Sequence, residues 1–383
     1  MDEIYLDNSA TTRPLPGVIR AVKTTLEKKY GNPSSLHNKG LEADKILQQT
    51  RRTAADKLET TADNLYFTSG GTEGNNLALK GAIASYNNRG NHLITTTIEH
   101  PAVGNVFSTL EKQGYRVSYL KPDTEGIISL QELENAITEE TILVSIMHAN
   151  NEIGSIQPVK KAGELIKNSN HLTIFHVDAI QTFGKLQVTP EEWQIDLLTI
   201  SGHKIHGPKG IGLLYKKNGL QLEPLFNGGG QENGLRSGTE NVPGAAGLNP
   251  ALEAITEFTS RKTRDKKLEQ LRQYLLEQIQ AKLPEARINS PQGKNGAPHI
   301  VNLSFAGVRG EVLVHALEKE GIYVSTGSAC HSRKNKKSSV LQEIGVPEKY
   351  QEGTIRISLS RNNNRQELEY TINKIKEQID KYF

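Results

Sequence analysis

The sequence has little of several residue types, and each shortage excludes a class of protein. Its 383 residues include one cysteine, two methionines and one tryptophan. A single thiol, Cys330, cannot close an intramolecular disulfide or build a cysteine-rich zinc or iron–sulfur cage. No run approaches the roughly 18 apolar residues of a membrane span, and the acidic opening MDEIYLDN has no apolar core of a signal peptide. We expect a cytoplasmic protein with no membrane partner.

Charge and motif content exclude further classes. Forty-six Lys and Arg against 43 Asp and Glu leave a net charge of +3, so a generally basic nucleic-acid binder is excluded and no direct nucleic-acid binding is expected. The sequence has no GxxxxGK[ST] loop and no HxxxH or CxxC pair, which argues against a P-loop and a resident metal site. Hydrophobic residues at 36% and charged residues at 23% are typical of a globular protein.

Short apolar runs alternate with segments of helical period. The strand-like runs are Asn64–Ser69, His92–Ile98, Thr141–His148, Leu172–Ala179, Asp196–Ser201 and Gly210–Tyr215. The helical segments between them include Gly74–Tyr86, Val103–Lys112 and Val159–Asn168. This alternation predicts an α/β fold with a mostly parallel sheet covered on both faces. We predict a large domain over 14–250 and a small α+β domain over 251–383, with segment 1–13 packing against the small domain or in the cleft.

Polar groups follow successive strands of the predicted sheet, where ligands bind in such folds. They are the turn Gly70–Gly74, then Glu99 and His100, Asn150–Glu152, Asp178 with Gln181, and Ser201–Lys204. Taken singly, each is more often a satisfied turn residue. Together they provide an anion-binding turn, a carboxylate for a pyridine nitrogen, an imidazole to stack on a ring and an amine for a Schiff base. Those are the parts of a pyridoxal-phosphate site.

Eight motifs carry a resemblance to a known family. They are YLDNSATT (Tyr5–Thr12), GNPSSLH (Gly31–His37), FTSGGTEGNN (Phe67–Asn76), MHANNEIG (Met147–Gly154), HVDAIQ (His176–Gln181), SGHKIHGPKG (Ser201–Gly210), LRSGTEN (Leu235–Asn241) and STGSACHS (Ser325–Ser332). Their order and sequence resemble cysteine desulfurases, homodimeric pyridoxal-phosphate enzymes of fold type I in the class V aminotransferase group. The likeness runs from Tyr5 to about Arg361, nearly the whole chain.

The resemblance implies a role for each matching residue. Lys204 would hold pyridoxal phosphate, Asp178 would pair with its ring nitrogen, His100 would stack on the ring and Gln181 would bond its phenolic oxygen. The phosphate would be bound by Gly71, Thr72, Ser201 and His203, and by Thr239 of a neighbouring subunit. The substrate would be L-cysteine, its carboxylate held by Asn151 and Arg356. Without the family, the alternation in TIRISLSR favours a surface position for Arg356.

Cys330 would take the sulfur of L-cysteine as a persulfide, leaving alanine. Its Gly- and Ser-rich setting favours an accessible thiolate over a buried small hydrophobe. The stretch after it resembles the longer loop type of the family. Four basic residues follow in this stretch: Arg333, Lys334, Lys336 and Lys337. Two interpretations explain this charge equally well: it keeps an exposed loop solvated, or it docks on an acidic face of an acceptor protein. The acceptor would serve iron–sulfur cluster assembly or tRNA or cofactor thiolation, and transient contact of an iron–sulfur cluster with Cys330 stays open.

Other functions remain as alternatives. A selenocysteine lyase, a cystine-cleaving lyase or a small-amino-acid aminotransferase would use the same fold, although the aminotransferase needs no thiol. A sulfur-relay protein without catalysis would not need Lys204, Asp178 and His100 together. A thiol hydrolase built on Cys330 would have no use for phosphate-binding elements.

Overall fold

A computed structural model of the chain describes residues 3–255, 264–326 and 338–382. The helices of four residues or more are α1 Pro16–Lys28, α2 Asn38–Leu58, α3 Gly71–Tyr86, α4 Pro101–Lys112, α5 Leu130–Ala136, α6 Val159–Ser169, α7 Val242–Glu253, α8 Lys266–Lys282, α9 Gly310–Glu318, α10 Ser339–Glu343, α11 Glu348–Gln351 and α12 Arg365–Tyr382. The strands are β1 Ile4–Tyr5, β2 Leu65–Thr68, β3 His92–Thr96, β4 Arg116–Leu120, β5 Thr141–Met147, β6 Ile174–Asp178, β7 Leu197–Ser201, β8 Gly212–Lys216, β9 Arg287–Ile288, β10 Ile300–Ser304, β11 Ile322–Tyr323 and β12 Thr354–Ser358.

Seven strands form the main sheet, in the order β2-β8-β7-β6-β5-β3-β4. Strand β8 runs antiparallel to both neighbours, and every other pair in register is parallel. Each of the six predicted strand runs contains or overlaps one of these strands. Strand β4 was not predicted, because it lies at the sheet edge and only one of its five residues is buried. The predicted mostly parallel α/β fold is confirmed.

Apolar side chains cover both faces of this sheet. Neighbouring strand residues alternate between the two faces, as Leu143 and Val144 show by belonging to separate buried clusters. One cluster packs the sheet against α2, α6 and α7, and the other packs it against α3 and α4. Burial on both faces explains why most of these strands are continuous apolar runs. Because both faces of the sheet are covered, the ends of its strands are the part that a ligand can reach.

A separate buried cluster lies in the C-terminal part. Strands β9, β10 and β12 form an antiparallel sheet in the order β12-β10-β9. Helices α8, α9 and α12 contribute leucine and isoleucine side chains that pack on it. The domain boundary near residue 250 stays a prediction, and residues 256–263 beside it lie outside the described residues.

The N-terminal segment contacts both parts of the molecule. Strand β1 pairs in parallel with β11. Farther along, the Ser9 N–H donates to Ser358 Oγ at 2.8 Å, and the Thr12 N–H donates to the carbonyl of His203 at 2.9 Å. The segment therefore joins β12 to the turn that follows β7. No helix in the described part of the chain has the length and apolar character to cross a membrane.

Candidate active site

The carboxyl ends of neighbouring strands bring the predicted residues to one edge of the main sheet. Strand β6 ends at Asp178 and strand β7 ends at Ser201, with the turn 202–204 directly after it. Strand β2 ends at Thr68 and leads into α3, and β5 ends at Met147, before the ANNEIG loop. Because β2, β5, β6 and β7 point in the same direction, these ends converge on one region of the surface.

The turn between β2 and α3 has the form of an anion site. Helix α3 begins at Gly71, three residues before the predicted start, and its cap Gly70 has φ of +144°, a region that favours glycine. Thr72 lies in the first turn, whose N–H groups have no partner within the helix. A Cβ at Gly70 would lie 3.7 Å from Ser201 Oγ. The structure thus brings Gly71, Thr72 and Ser201 together.

Asp178 is a buried carboxyl with a fixed orientation. Asn75 Nδ2 donates to its Oδ2 at 2.7 Å, and the Ile180 N–H donates to its Oδ1 at 3.0 Å. Burial raises the pKa of Asp178, while these two hydrogen bonds and the neighbouring His100 and Lys204 oppose the increase. A cation placed against this carboxyl would therefore be strongly favoured.

Lys204 is held by hydrogen bonds from its side-chain amine to the N-terminal segment. Its Nζ donates to the carbonyl of Ser9 and, at 2.9 Å, to that of Ala10. The neighbouring His203 shares a hydrogen bond of 3.1 Å between its Nδ1 and Thr11 Oγ1. Burial, together with the Lys204 charge, lowers the pKa of His203 to about 4, so His203 is neutral at pH 7. The N-terminal segment is thus part of the site.

Gln181 and His100 complete this group around Asp178. Gln181 Nε2 donates to the carbonyl of Ser9 at 3.1 Å, and its Oε1 is buried without a partner in the described residues. His100 caps α4, since its Nδ1 accepts from the Ala102 N–H at 3.1 Å. That bond fixes the ring at the start of the helix, beside the end of β3.

Arg356 is buried rather than exposed, so the surface reading of its strand is wrong. Its side chain is 4% exposed. Nη1 donates to the carbonyl of Asn151 at 2.7 Å, and Nη2 donates to Asp7 Oδ1 at 2.8 Å. Its Nε is buried and has no partner among the described residues. The guanidinium is therefore pre-oriented, and its buried Nε–H is available to a further ligand.

Of the two remaining predicted residues, the structure describes Thr239 but not Cys330. Cys330 lies in 327–337, outside the described residues, as do the four basic residues after it. Thr239 is exposed on this single chain. The segment that carries it is held near α3, because Arg236 Nε donates to Glu73 Oε1 at 2.9 Å.

Two further residues of the site were not singled out from the sequence. Asn75 bonds Asp178, and Asp7 bonds Arg356. Both lie in the motifs FTSGGTEGNN and YLDNSATT. Glu99, which was singled out at the end of β3, accepts from the Met147 N–H of the adjacent strand. An asparagine inside a predicted helix and an aspartate before a turn were the available signals, and both have common structural explanations.

These residues fit pyridoxal phosphate. The cofactor needs an acid for its ring nitrogen, an amine for its aldehyde and an anion site for its phosphate. Asp178 is a buried acid with no cation bonded to it in the described residues, and Gln181 keeps a buried polar atom without a partner. Lys204 and the first turn of α3 supply the other two parts. In the described part of the chain, no group of three His, Cys, Asp or Glu side chains could hold a metal ion.

Comparison with known proteins supports the same chemistry. Residues 4–371 match the family model described as aminotransferase class-V. The chain is 42% identical over 371 residues to the cysteine desulfurase IscS of Clostridium botulinum (strain Hall), covering 97% of this chain and 92% of the relative. A solved NifS-like protein superposes with a TM-score of 0.91 at 39% identity, covering 99% of both chains. A structure titled SspA in complex with cysteine superposes with a TM-score of 0.81 at 36% identity, covering 93% of this chain and 98% of that one.

Proposed function

This chain belongs to the class V aminotransferase family, and from that premise we propose that it is a pyridoxal-phosphate-dependent cysteine desulfurase. It converts L-cysteine to L-alanine and transfers the sulfur to Cys330. The observation that carries the proposal is the pair of Lys204 and Asp178 at the ends of adjacent strands, with the first turn of α3 beside them. A structural neighbour in complex with cysteine supports this choice of substrate.

Different residues of the chain would bind the cofactor and hold its proton. When bound, pyridoxal phosphate supplies an aldehyde for the substrate amine and a ring that withdraws electrons from the substrate Cα. Lys204 would hold it, Asp178 would hold a proton on the ring nitrogen, and Thr72 with the Gly71 N–H would bind the phosphate. Ser201, His203 and Thr239 of a neighbouring subunit would add phosphate contacts, and Gln181 and His100 would orient the ring.

Substrate binding and sulfur transfer follow from the remaining groups. Arg356 and Asn151 bind the substrate carboxylate, and the Lys204 amine removes the proton from the substrate Cα. The Cys330 thiolate attacks the substrate sulfur, so that an S–S bond forms as the C–S bond breaks. The carbon skeleton gains protons and leaves as alanine, and Cys330 is left as a persulfide.

Trapping the cofactor and following both products test this proposal. Borohydride reduction of the purified protein, followed by peptide mass spectrometry, should place the cofactor on Lys204 and remove the visible absorbance. Lys204→Ala should lose alanine formation from L-cysteine, whereas Lys216→Ala, at the opposite edge of the sheet, should keep it. Cys330→Ala should bind the cofactor but form no protein persulfide. Normal alanine release and persulfide formation by Cys330→Ala would refute the role of that thiol.

The lyase alternative is separated by substrate preference. We expect faster alanine release from L-cysteine than from L-selenocysteine, under conditions where both are saturating. A strong preference for selenocysteine that survives Cys330→Ala would instead identify a selenocysteine lyase.

We propose that the active form is a homodimer. Large apolar side chains are exposed on α1, the segment after it and α2, and Phe226 is also exposed. Those on the N-terminal elements are Ile19, Leu26, Tyr30, Leu36 and Leu41. Five exposed large apolar side chains within residues 19–41 favour an interaction surface there. Light scattering during gel filtration should give twice the chain mass of 42.3 kDa, and a monomer with full activity would refute the dimer.

The acceptor of the sulfur is a further part of the proposal. We place this protein in the cytoplasm, in keeping with its single thiol, and assign its persulfide to an acceptor protein of iron–sulfur cluster assembly or of tRNA or cofactor thiolation. Radiolabelled sulfur followed from Cys330 to its acceptors decides among these routes. Replacing Arg333, Lys334, Lys336 and Lys337 with serine should slow delivery but spare alanine formation with a small thiol reductant. Equal loss of both activities would exclude docking by these residues.

A further inference from the structure

A second lysine lies directly behind Lys204. Lys185 is 8% exposed, in the turn that follows β6. Its Nζ donates to the carbonyl of Lys204 at 3.0 Å and to that of Gln181 at 3.4 Å. No carboxylate lies within 4 Å of this amine in the residues that the structure describes. Lys185 is thus a buried amine that backbone carbonyl dipoles hold.

The backbone fixes Lys185 in this place. Its N–H donates to the carbonyl of Thr182 at 2.9 Å, and its carbonyl accepts from the Asp265 N–H at 3.1 Å. Gly184 before it has φ of +78°, and a Cβ there would lie 3.1 Å from Ile205 Cγ2. The turn after β6 therefore packs closely on the turn after β7, and the Lys185 amine has little freedom to leave the Lys204 carbonyl.

The charges around Lys185 are mostly positive or neutral. The titratable groups that face it are Lys204 and His203 in the turn after β7, His206 beyond that turn, His299 before β10 and Asp265 at the start of α8. The pKa of Lys185 is lowered to about 7: burial is the main cause, the Lys204 charge adds to it, and Asp265 partly offsets both. Coulomb repulsion acts equally on both partners, so a proton on Lys185 also disfavours a proton on Lys204.

We propose that Lys185 is a positioning residue for Lys204: it fixes the carbonyl of that residue and places a second amine charge beside it, which favours the neutral, reactive form of the Lys204 amine. The inference rests on the proposed function, in which Lys204 is joined to the cofactor. A lysine beside another cationic group is an established way to obtain a nucleophilic amine near neutral pH. No motif identified Lys185, since its role depends on two turns meeting in space.

The test is a spectroscopic pH titration of the full-length protein with its cofactor. The visible absorbance of the cofactor reports the protonation of the nitrogen that joins it to Lys204. Removing the charge with Lys185→Met should raise the titration midpoint by about one pH unit, the size expected for one nearby like charge. Lys185→Arg keeps the charge and should stay within about 0.3 unit of the unsubstituted protein.

Lys216→Met is the matched control. The Lys216 amine also donates to a backbone carbonyl, that of Leu220 at 2.9 Å, but it lies on β8 at the opposite edge of the sheet. The titration midpoint of Lys216→Met should equal that of the unsubstituted protein. Lys185→Gln keeps an N–H donor without a charge, so its titration midpoint should shift as that of Lys185→Met does. It replaces Lys185→Met if circular dichroism shows that Lys185→Met does not fold.

Two results would overturn the inference. The first is a midpoint that is the same in the charge-free variants and the unsubstituted protein. The second is an equal shift in Lys185→Arg, because that shift would follow from packing and not from charge. Borohydride trapping in each variant separates this failure from failure of the proposed function. Cofactor found on a lysine other than Lys204 would refute the function, whereas cofactor on Lys204 with coincident midpoints would refute the role of Lys185 alone.

Discussion

Glu99 gives a quantitative prediction about stability and pH. Its Oε1 accepts from the Met147 N–H at 2.8 Å and from Thr96 Oγ1 at 3.0 Å, and its Oε2 is buried with no partner among the described residues. The pKa of Glu99 is raised to about 8: burial is the main cause, the Asp178 charge adds to it, and the two hydrogen bonds oppose the increase. Because burial is the largest cause, this shift should persist when the cofactor is bound.

The sign of the effect follows from proton binding in the two states. Between the ordinary pKa of 4.5 and the folded value of about 8, the folded protein keeps the Glu99 proton and the unfolded chain loses it. The free energy of unfolding therefore falls as pH rises through this window. At about 1.4 kcal/mol per pH unit, the loss between pH 5 and pH 8 is about 3 to 4 kcal/mol.

Glu99→Gln should remove this loss, since glutamine has the shape of the protonated acid and keeps both accepted hydrogen bonds. Unfolding of a chain this long has an entropy of about 0.8 kcal/mol/K. The Tm difference between the variant and the unsubstituted protein should therefore be about 4 to 5 °C larger at pH 8 than at pH 5. Differential scanning calorimetry of the cofactor-bound proteins measures this difference. Glu285→Gln, at an exposed glutamate, is the control and should show no such trend. An equal Tm difference at both pH values would show that Glu99 is ionised in the folded protein.

Four other substitutions have outcomes that follow from the structure. Arg356→Lys cannot make both hydrogen bonds of the guanidinium and bind a carboxylate, so KM for L-cysteine should rise about tenfold or more in steady-state alanine assays, and an unchanged KM would contradict its role. Ser338→Ala removes the cap of α10 and a 2.6 Å bond to a buried carboxyl, which should cost about 1 to 2 kcal/mol in urea unfolding. Gly163→Ala would place a Cβ 2.0 Å from the Trp193 carbonyl oxygen and should lower Tm. Gly104→Ala is the control, because its Cβ would have nothing within 4 Å, and it should raise Tm slightly. Similar changes in Tm for the two variants would refute the packing argument.

The main sheet was predictable because its strands are buried on both faces. Runs such as Thr141–Met147 are apolar throughout and end at turn residues, so their type is clear from the sequence alone. Strand β4 has the opposite character, since its residues from Arg116 to Tyr119 are exposed or half-buried and lack a period. Its pairing with β3 supplies the strand hydrogen bonds, and pairing is a tertiary property that a local pattern does not show.

The site was predictable where its residues end a strand. Asp178 and Lys204 follow apolar runs directly, and the parallel order of the sheet then brings them to one edge. The contacts of Asp7, Ser9 and Lys185 were not predictable in this way, because they depend on where an N-terminal segment and two turns meet. The resemblance assigned roles to matching residues but said nothing of the residues that hold them.

The N-terminal segment also bears on how the enzyme matures in the cell. The carbonyls that receive the Lys204 amine belong to residues 9 and 10, and the Ser9 N–H is itself bonded to Ser358, 349 positions later. During synthesis, the first part of this arrangement leaves the ribosome long before the last. The vitamin-binding pocket is therefore finished only when residue 358 has emerged, which makes loading of the vitamin a late event in synthesis.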